Sequence, residues 1–148
     1  MNKLKLIVSE VDGVITSGTS AIDELGNTLF KDFYMADFEA INKIKENYTF
    51  VFLSSDNCIN YNFFRKKNIP FYWAKTDKLS VLSSILMRYN VTAEEAIYIG
   101  SKISDIPCMR MIPRSYCTNR LLGFPAFHTN PGTGVLTELF IMLKEKRC

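Results

Sequence analysis

The chain has one histidine, His128, and four cysteines, Cys58, Cys108, Cys117 and Cys148, none of them in a C-x-x-C pair. That scarcity excludes the usual zinc-binding spacings. Cysteines scattered through helix- and strand-like segments read as buried thiols of a reducing compartment. No apolar run is long enough to span a bilayer, and the one that follows Met1-Asn2-Lys3 ends by Val8, too short for a secretory leader. A cytoplasmic location and no membrane partner are therefore expected. Charge of one sign is also scarce. The formal net charge is +3, and the longest basic cluster, Arg65-Lys66-Lys67, falls at an expected helix end, where cations complement the dipole. Lys144-Glu145-Lys146-Arg147 has the same explanation, so no nucleic-acid partner is expected. An apolar fraction of 47% over 148 residues suffices for a core without staples. The expectation is a single domain, residues 1–148.

The hydrophobic pattern alternates between strand and helix. Residues 4–11 form a continuous apolar run, which suits a strand buried on both faces. Residues 19–24 and 28–33 are β-prone and flank Leu25-Gly26-Asn27, a hairpin signal. A helix is expected over 36–47, a strand over 49–53 and a helix over 58–67 after the cap-rich Ser54-Ser55-Asp56-Asn57. Phe71–Trp73 reads as a short strand and Thr76 as the cap of a helix to Tyr89. Thr92-Ala93-Glu94-Glu95 has capping-box form. A strand over 96–99, a helix over 104–111, a strand over 115–118 and a closing helix over 135–146 complete the chain. The expected fold is α/β, a doubly wound (Rossmann-like) parallel sheet with a β-hairpin inserted after strand 1 and no separate cap domain.

In such sheets ligands bind at the carboxyl ends of the strands. The residues there are Glu10 and Asp12, Ser54, Lys78 in the first turn of a helix, and Ser101, Lys102 and Asp105. Each alone has a plainer explanation: Asp-Gly as a turn, serine as a helix cap, a solvated lysine, an aspartate favoured by a helix dipole. Together they have the chemistry of a phosphate site with a metal, carboxylates for a hard cation and a hydroxyl and ammonium for phosphate oxygens. The aromatics Phe71, Tyr72 and Trp73 read as core. A flavodoxin-like or receiver-like domain would also place acids and a lysine at strand ends, but it would pass from strand 1 directly into a helix.

The run from Leu6 to Gly18 resembles the first motif of haloacid dehalogenase-type phosphatases, in particular the capless branch containing 3-deoxy-manno-octulosonate 8-phosphate phosphatase. The likeness continues through Gly26-Asn27, Phe33 to Asp37, Thr76 to Leu79, Ala96 to Gly100, Ser104-Asp105 and Gly132 to Val135, and is weakest over 112–130. By this resemblance Glu10 stands where the family has its nucleophilic Asp. Asp12 matches the general acid/base, whose carbonyl also binds Mg2+. Ser54 and Lys78 match the phosphate-binding pair. Ser101 takes the place of a metal-binding Asp, Asp105 matches the later acidic residue, and Glu10, Asp12 and Asp105 are the metal-binding set the resemblance implies.

Two departures touch chemistry. Glutamate moves its carboxylate outward by about one bond, and a misplacement of about 1 Å can cost about a hundredfold. Ser101 removes a carboxylate from a site usually held by only one or two, and Lys102 puts a positive charge beside the gap. The resemblance thus implies a phosphatase-fold protein with altered motifs, weak or inactive in hydrolysis, acting through assembly or ligand binding. The alternative is a Mg2+-dependent sugar-phosphate phosphatase of the same type. A similar phosphatase-like domain with degenerate motifs ends animal CMP-sialic acid synthetases, which implies a cytidylyltransferase partner. The capless relatives also imply a homo-oligomer, a tetramer built on the hairpin through Ala21-Ile22 and Leu29-Phe30, and a small phosphorylated sugar acid as ligand. Otherwise those apolar residues would fold back on their own domain.

Overall fold

Three neighbouring strands carry the same alternation, and it builds two cores on one sheet. The computed structural model describes residues 3–57 and 59–148. In β1 (Leu6–Ser9), Ile7 faces one core while Leu6 and Val8 face the other. β4 (Thr49–Ser54) sends Phe50 and Phe52 one way and Val51 and Leu53 the other. β6 (Ala96–Gly100) divides Ile97 and Ile99 from Ala96 and Tyr98. A strand buried on both faces has no polar side to show, which is why these segments read as continuous apolar runs.

β5 (Phe71–Trp73) and β7 (Arg114–Cys117) complete a five-stranded sheet of order β5-β4-β1-β6-β7, every pairing parallel. One face is covered by α1 (Ala36–Ile44), α2 (Asn60–Lys66) and α5 (Val135–Lys144). The other is covered by α3 (Lys78–Arg88) and α4 (Ile106–Met111). Full burial of each large apolar side chain is worth about 1.5–3 kcal/mol, so Phe50, Phe52, Phe64 and Ile41 dominate the first core. The expected α/β architecture is present, with no separate cap. Among the described residues no helix is long and apolar enough to cross a membrane.

The hairpin after β1 is a two-stranded antiparallel sheet of its own, β2 (Ala21–Ile22) and β3 (Thr28–Phe30). Asp23 organises its turn, its Oδ1 accepting from the backbone N–H of Leu25 and of Asn27, each at 2.9 Å. Ile22, Leu29 and Phe30 remain more than half exposed, so they do not fold back onto the domain.

Several boundaries differ from the sequence expectation. Asp77, not Thr76, caps α3, its side chain accepting from the Ser80 N–H. α2 starts at Asn60 behind Ile59, with no side-chain cap, so residues 54–57 do not cap it. The Ser54 hydroxyl instead accepts from Asp56 N at 3.1 Å, and the expected helix start at Cys58 lies outside the described residues, as do Met1 and Asn2. The expected 104–111 helix divides into a 3-10 turn, Ile103–Asp105, followed by α4 with its early proline. Thr92 and Glu95 do form a capping box. Trp73 is about half exposed, unlike the core residue expected, because β5 is an edge strand. Cys108 and Cys117 are buried free thiols; Cys148 is partly exposed.

Candidate functional site

β1 is the topological switch point of the sheet, with β4 on one side and β6 on the other. Chain leaving the ends of these strands converges there. Glu10 directly follows β1 and is fully buried. Its Oε1 accepts from the N–H of Val11 at 2.9 Å, and its Oε2 is bound by the Lys78 ammonium. Lys78 is the first residue of α3 and also donates to Asp105 Oδ1 at 2.7 Å. Asp105 is held from three further directions. The Tyr98 hydroxyl donates to Oδ1 at 2.6 Å, and the backbone N–H groups of Ser101 and Lys102 donate to Oδ2 at 2.8 and 3.0 Å. Gly100 makes this approach feasible, since a Cβ there would lie 2.8 Å from that of Asp105.

One buried ammonium thus stands between two buried carboxylates. Burial pushes the Glu10 carboxyl up; Lys78 opposes the rise and Asp105 adds to it. Burial alone would pull Lys78 down, but Glu10 and Asp105 outweigh it and hold the ammonium above the ordinary lysine value. The Lys102 ammonium stands 3.8 Å from Glu10 Oε2, on the solvent side.

A second ionic group surrounds Asp12. Its Oδ2 accepts from Lys31 Nζ at 2.9 Å, and Lys31 also binds Asp56 Oδ2 at 2.7 Å and Asn60 Oδ1 at 3.2 Å. Burial would lower the Lys31 ammonium, but hydrogen bonds to Asp56 and Asp12 outweigh it and the net shift is upward. Asp12 Oδ1 accepts from the Thr16 hydroxyl at 3.2 Å. The backbone carbonyl of Asp12 accepts from Ser101 Oγ at 2.7 Å. Gly13, at φ +87°, permits this closure: a Cβ there would meet Ser101 Cβ and Oγ at 2.8 Å. Thr118 Oγ1 then donates to the Gly13 carbonyl at 2.6 Å.

The structure thus brings Glu10, Asp12, Lys78, Ser101, Lys102 and Asp105 into one group. Ser54 lies buried at the end of β4, engaged by Asp56 N. The residues as arranged do not fit a divalent cation. The carboxylate oxygens of Glu10, Asp12 and Asp105 each have a protein donor, and Ser101 occupies the Asp12 carbonyl. Among the described residues no group of three or more His, Cys, Asp or Glu side chains is placed to hold a metal ion. Above the group opens a cleft of about 540 Å³, whose lining includes Asp12, Ser17, Ser101, Lys102, Thr118 and Arg120.

Sequence reasoning missed Lys31, Asn60, Tyr98 and Arg120. Tyr98 carried a faint signal, a polar-tipped aromatic in a buried strand that requires a partner for its hydroxyl. Lys31 carried none, because a lysine beside a hairpin strand is ordinarily solvated.

No family model matches the chain, and no curated protein matches it. Solved structures do. The cobalt-bound deoxy-D-mannose-octulosonate 8-phosphate phosphatase of Haemophilus influenzae aligns over 97% of this chain and 88% of its own, with TM-score 0.86 and 24% identity. The 3-deoxy-D-manno-octulosonate 8-phosphate phosphatase of Yersinia pestis aligns over 97% and 83%, with TM-score 0.83 and 21% identity. The Moraxella catarrhalis enzyme of that name, in complex with magnesium, phosphate and a KDO molecule, aligns over 95% and 86%, with TM-score 0.84 and 18% identity.

Proposed function

We propose that this chain, which has the fold of the capless haloacid dehalogenase phosphatases, keeps the crevice of that fold but is weak or inactive in phosphoryl transfer, acting through ligand binding and assembly. The observation that carries this reading is the closed pairing of Glu10 with Lys78. A nucleophilic carboxylate needs a free oxygen in line with phosphorus, and a phosphate-binding lysine needs free N–H groups. Here each spends its charge on the other, in a buried setting that makes separation costly.

The ligand class that suits the crevice is a small phosphorylated sugar acid, by analogy with the neighbour holding phosphate and KDO. Assembly is supported by the hairpin, whose Ile22, Leu29 and Phe30 stand exposed on a two-stranded sheet with unpaired edges. Such surfaces favour closure against copies of the same chain. A second reading, a working Mg2+-dependent sugar-phosphate phosphatase, draws on Asp12, Ser54, Lys78 and Asp105 retaining their order at the strand ends.

The test is phosphate release from a panel of sugar phosphates, including eight- and nine-carbon acid phosphates, with magnesium present. The native chain should be silent, and Glu10→Asp/Ser101→Asp should gain turnover. Robust native turnover lost in Asp12→Asn would overturn the reading.

A further inference from the structure

The cation question has an answer in the residues themselves. A divalent ion in this crevice would have to displace Ser101 Oγ from the Asp12 carbonyl and Lys78 from Glu10 and Asp105. It would also stand beside the Lys102 ammonium, 3.8 Å from the Glu10 oxygen it would share. Positive charge is thus already built into the protein, on a buried lysine and a half-buried one.

The cleft above continues this charge outward. Among the described residues that line it, the only carboxylate is Asp12, whose Oδ2 is paired from below with Lys31, an ammonium it shares with Asp56. Lys102 and Arg120 both line it, as do Ser17 and Thr118, the latter with its hydroxyl proton given to the Gly13 carbonyl. Arg120 is exposed and makes no ion pair among the described residues, so its guanidinium fork is free. Two cations and the Ser17 hydroxyl around a cleft of about 540 Å³ suit an oxyanion on a metabolite-sized body.

We propose that the crevice is a metal-independent phosphate site, in which Lys102 and Arg120 supply the positive charge that a divalent ion would otherwise bring. This rests on the reading of a binding crevice, and names its ligand chemistry and its independence of magnesium. Lys102 is the inner anchor, fixed through its backbone N–H to Asp105, and Arg120 is the outer one.

The experiment is calorimetric titration of the full chain with inorganic phosphate, once in EDTA and once in excess magnesium. Affinities should agree within about twofold, Lys102→Ala should weaken binding at least about tenfold, and Lys102→Arg should recover most of it, as one charge-assisted hydrogen bond predicts. Arg120→Ala, at an exposed side chain that folding does not depend on, should weaken binding about threefold or more and carries the test if Lys102→Ala does not fold. Binding that requires magnesium, no binding at all, or indifference to Arg120→Ala would overturn the proposal. Turnover of 4-nitrophenyl phosphate separates the two readings. Robust turnover that survives EDTA would overturn the weak-phosphatase reading and support the metal-independent site. No turnover, with magnesium-dependent binding, would overturn the metal-independent site alone.

Discussion

The hydroxyl of Ser101 donates a 2.7 Å hydrogen bond to the backbone carbonyl of Asp12, joining the end of β6 to the turn after β1. A carbonyl held this way is committed to the protein. Ser101→Ala should remove the bond and cost about 1–3 kcal/mol, the penalty for an orphaned partner. Urea unfolding would register it, and a loss below about 0.5 kcal/mol would mean that water replaces the hydroxyl.

The ion pairs around the site should differ sharply from those at the surface. Lys31 is wholly buried between Asp12 and Asp56, so Lys31→Met should destabilise by about 3–5 kcal/mol. Lys5 also pairs with a carboxylate, that of Glu95, yet is half exposed, and Lys5→Ala should cost less than about 1 kcal/mol. Equal losses in the two variants would deny the buried pair its special weight.

Asp37 gives stability a pH dependence. It is fully buried in the first turn of α1, and its Oδ1 accepts from the backbone N–H of Thr137 in α5 at 3.3 Å while Oδ2 has no partner among the described residues. Burial lifts its carboxyl from 3.8 to about 6. The folded form therefore takes up a proton more readily than the unfolded one. Its contribution is full below about pH 4 and is lost as pH rises through 6, a change of up to about 3 kcal/mol. Asp37→Asn should flatten this part of the curve, as read from urea midpoints at pH 4, 5, 6 and 8. An identical slope in the variant would assign the dependence elsewhere.

The hairpin offers a test that separates assembly from folding. Ile22 and Leu29 are each 60% exposed, so Ile22→Asp/Leu29→Asp should alter unfolding stability by only about 0.5 kcal/mol. Light scattering should show the native chain as an oligomer and the variant as a single chain. A native chain that is already monomeric at high concentration would remove assembly from the proposed function.

The sheet was legible because burial on two faces writes itself as consecutive apolar residues, as in Leu6-Ile7-Val8 and Phe50-Val51-Phe52-Leu53. Strand ends followed from the polar residues that stop such runs, and so did the grouping of Glu10, Asp12, Lys78 and Asp105. What escaped was pairing. Nothing in the neighbours of Lys31 signals that its ammonium crosses to Asp12 and Asp56, because that contact exists only after the hairpin docks. Helix starts misled for a related reason. Ser54 spends its hydroxyl on Asp56 N rather than on a helix end, and one sequence signal served both roles.

Lys31 follows directly on the last residue of β3, so the hairpin is bolted to the sheet at its root by an ammonium out of reach of water. Swinging that arm aside would strip two carboxylates of their counter-charge at once. The hairpin is therefore tied down at its root, and a neighbour that grips it holds an element chained to the floor of the crevice.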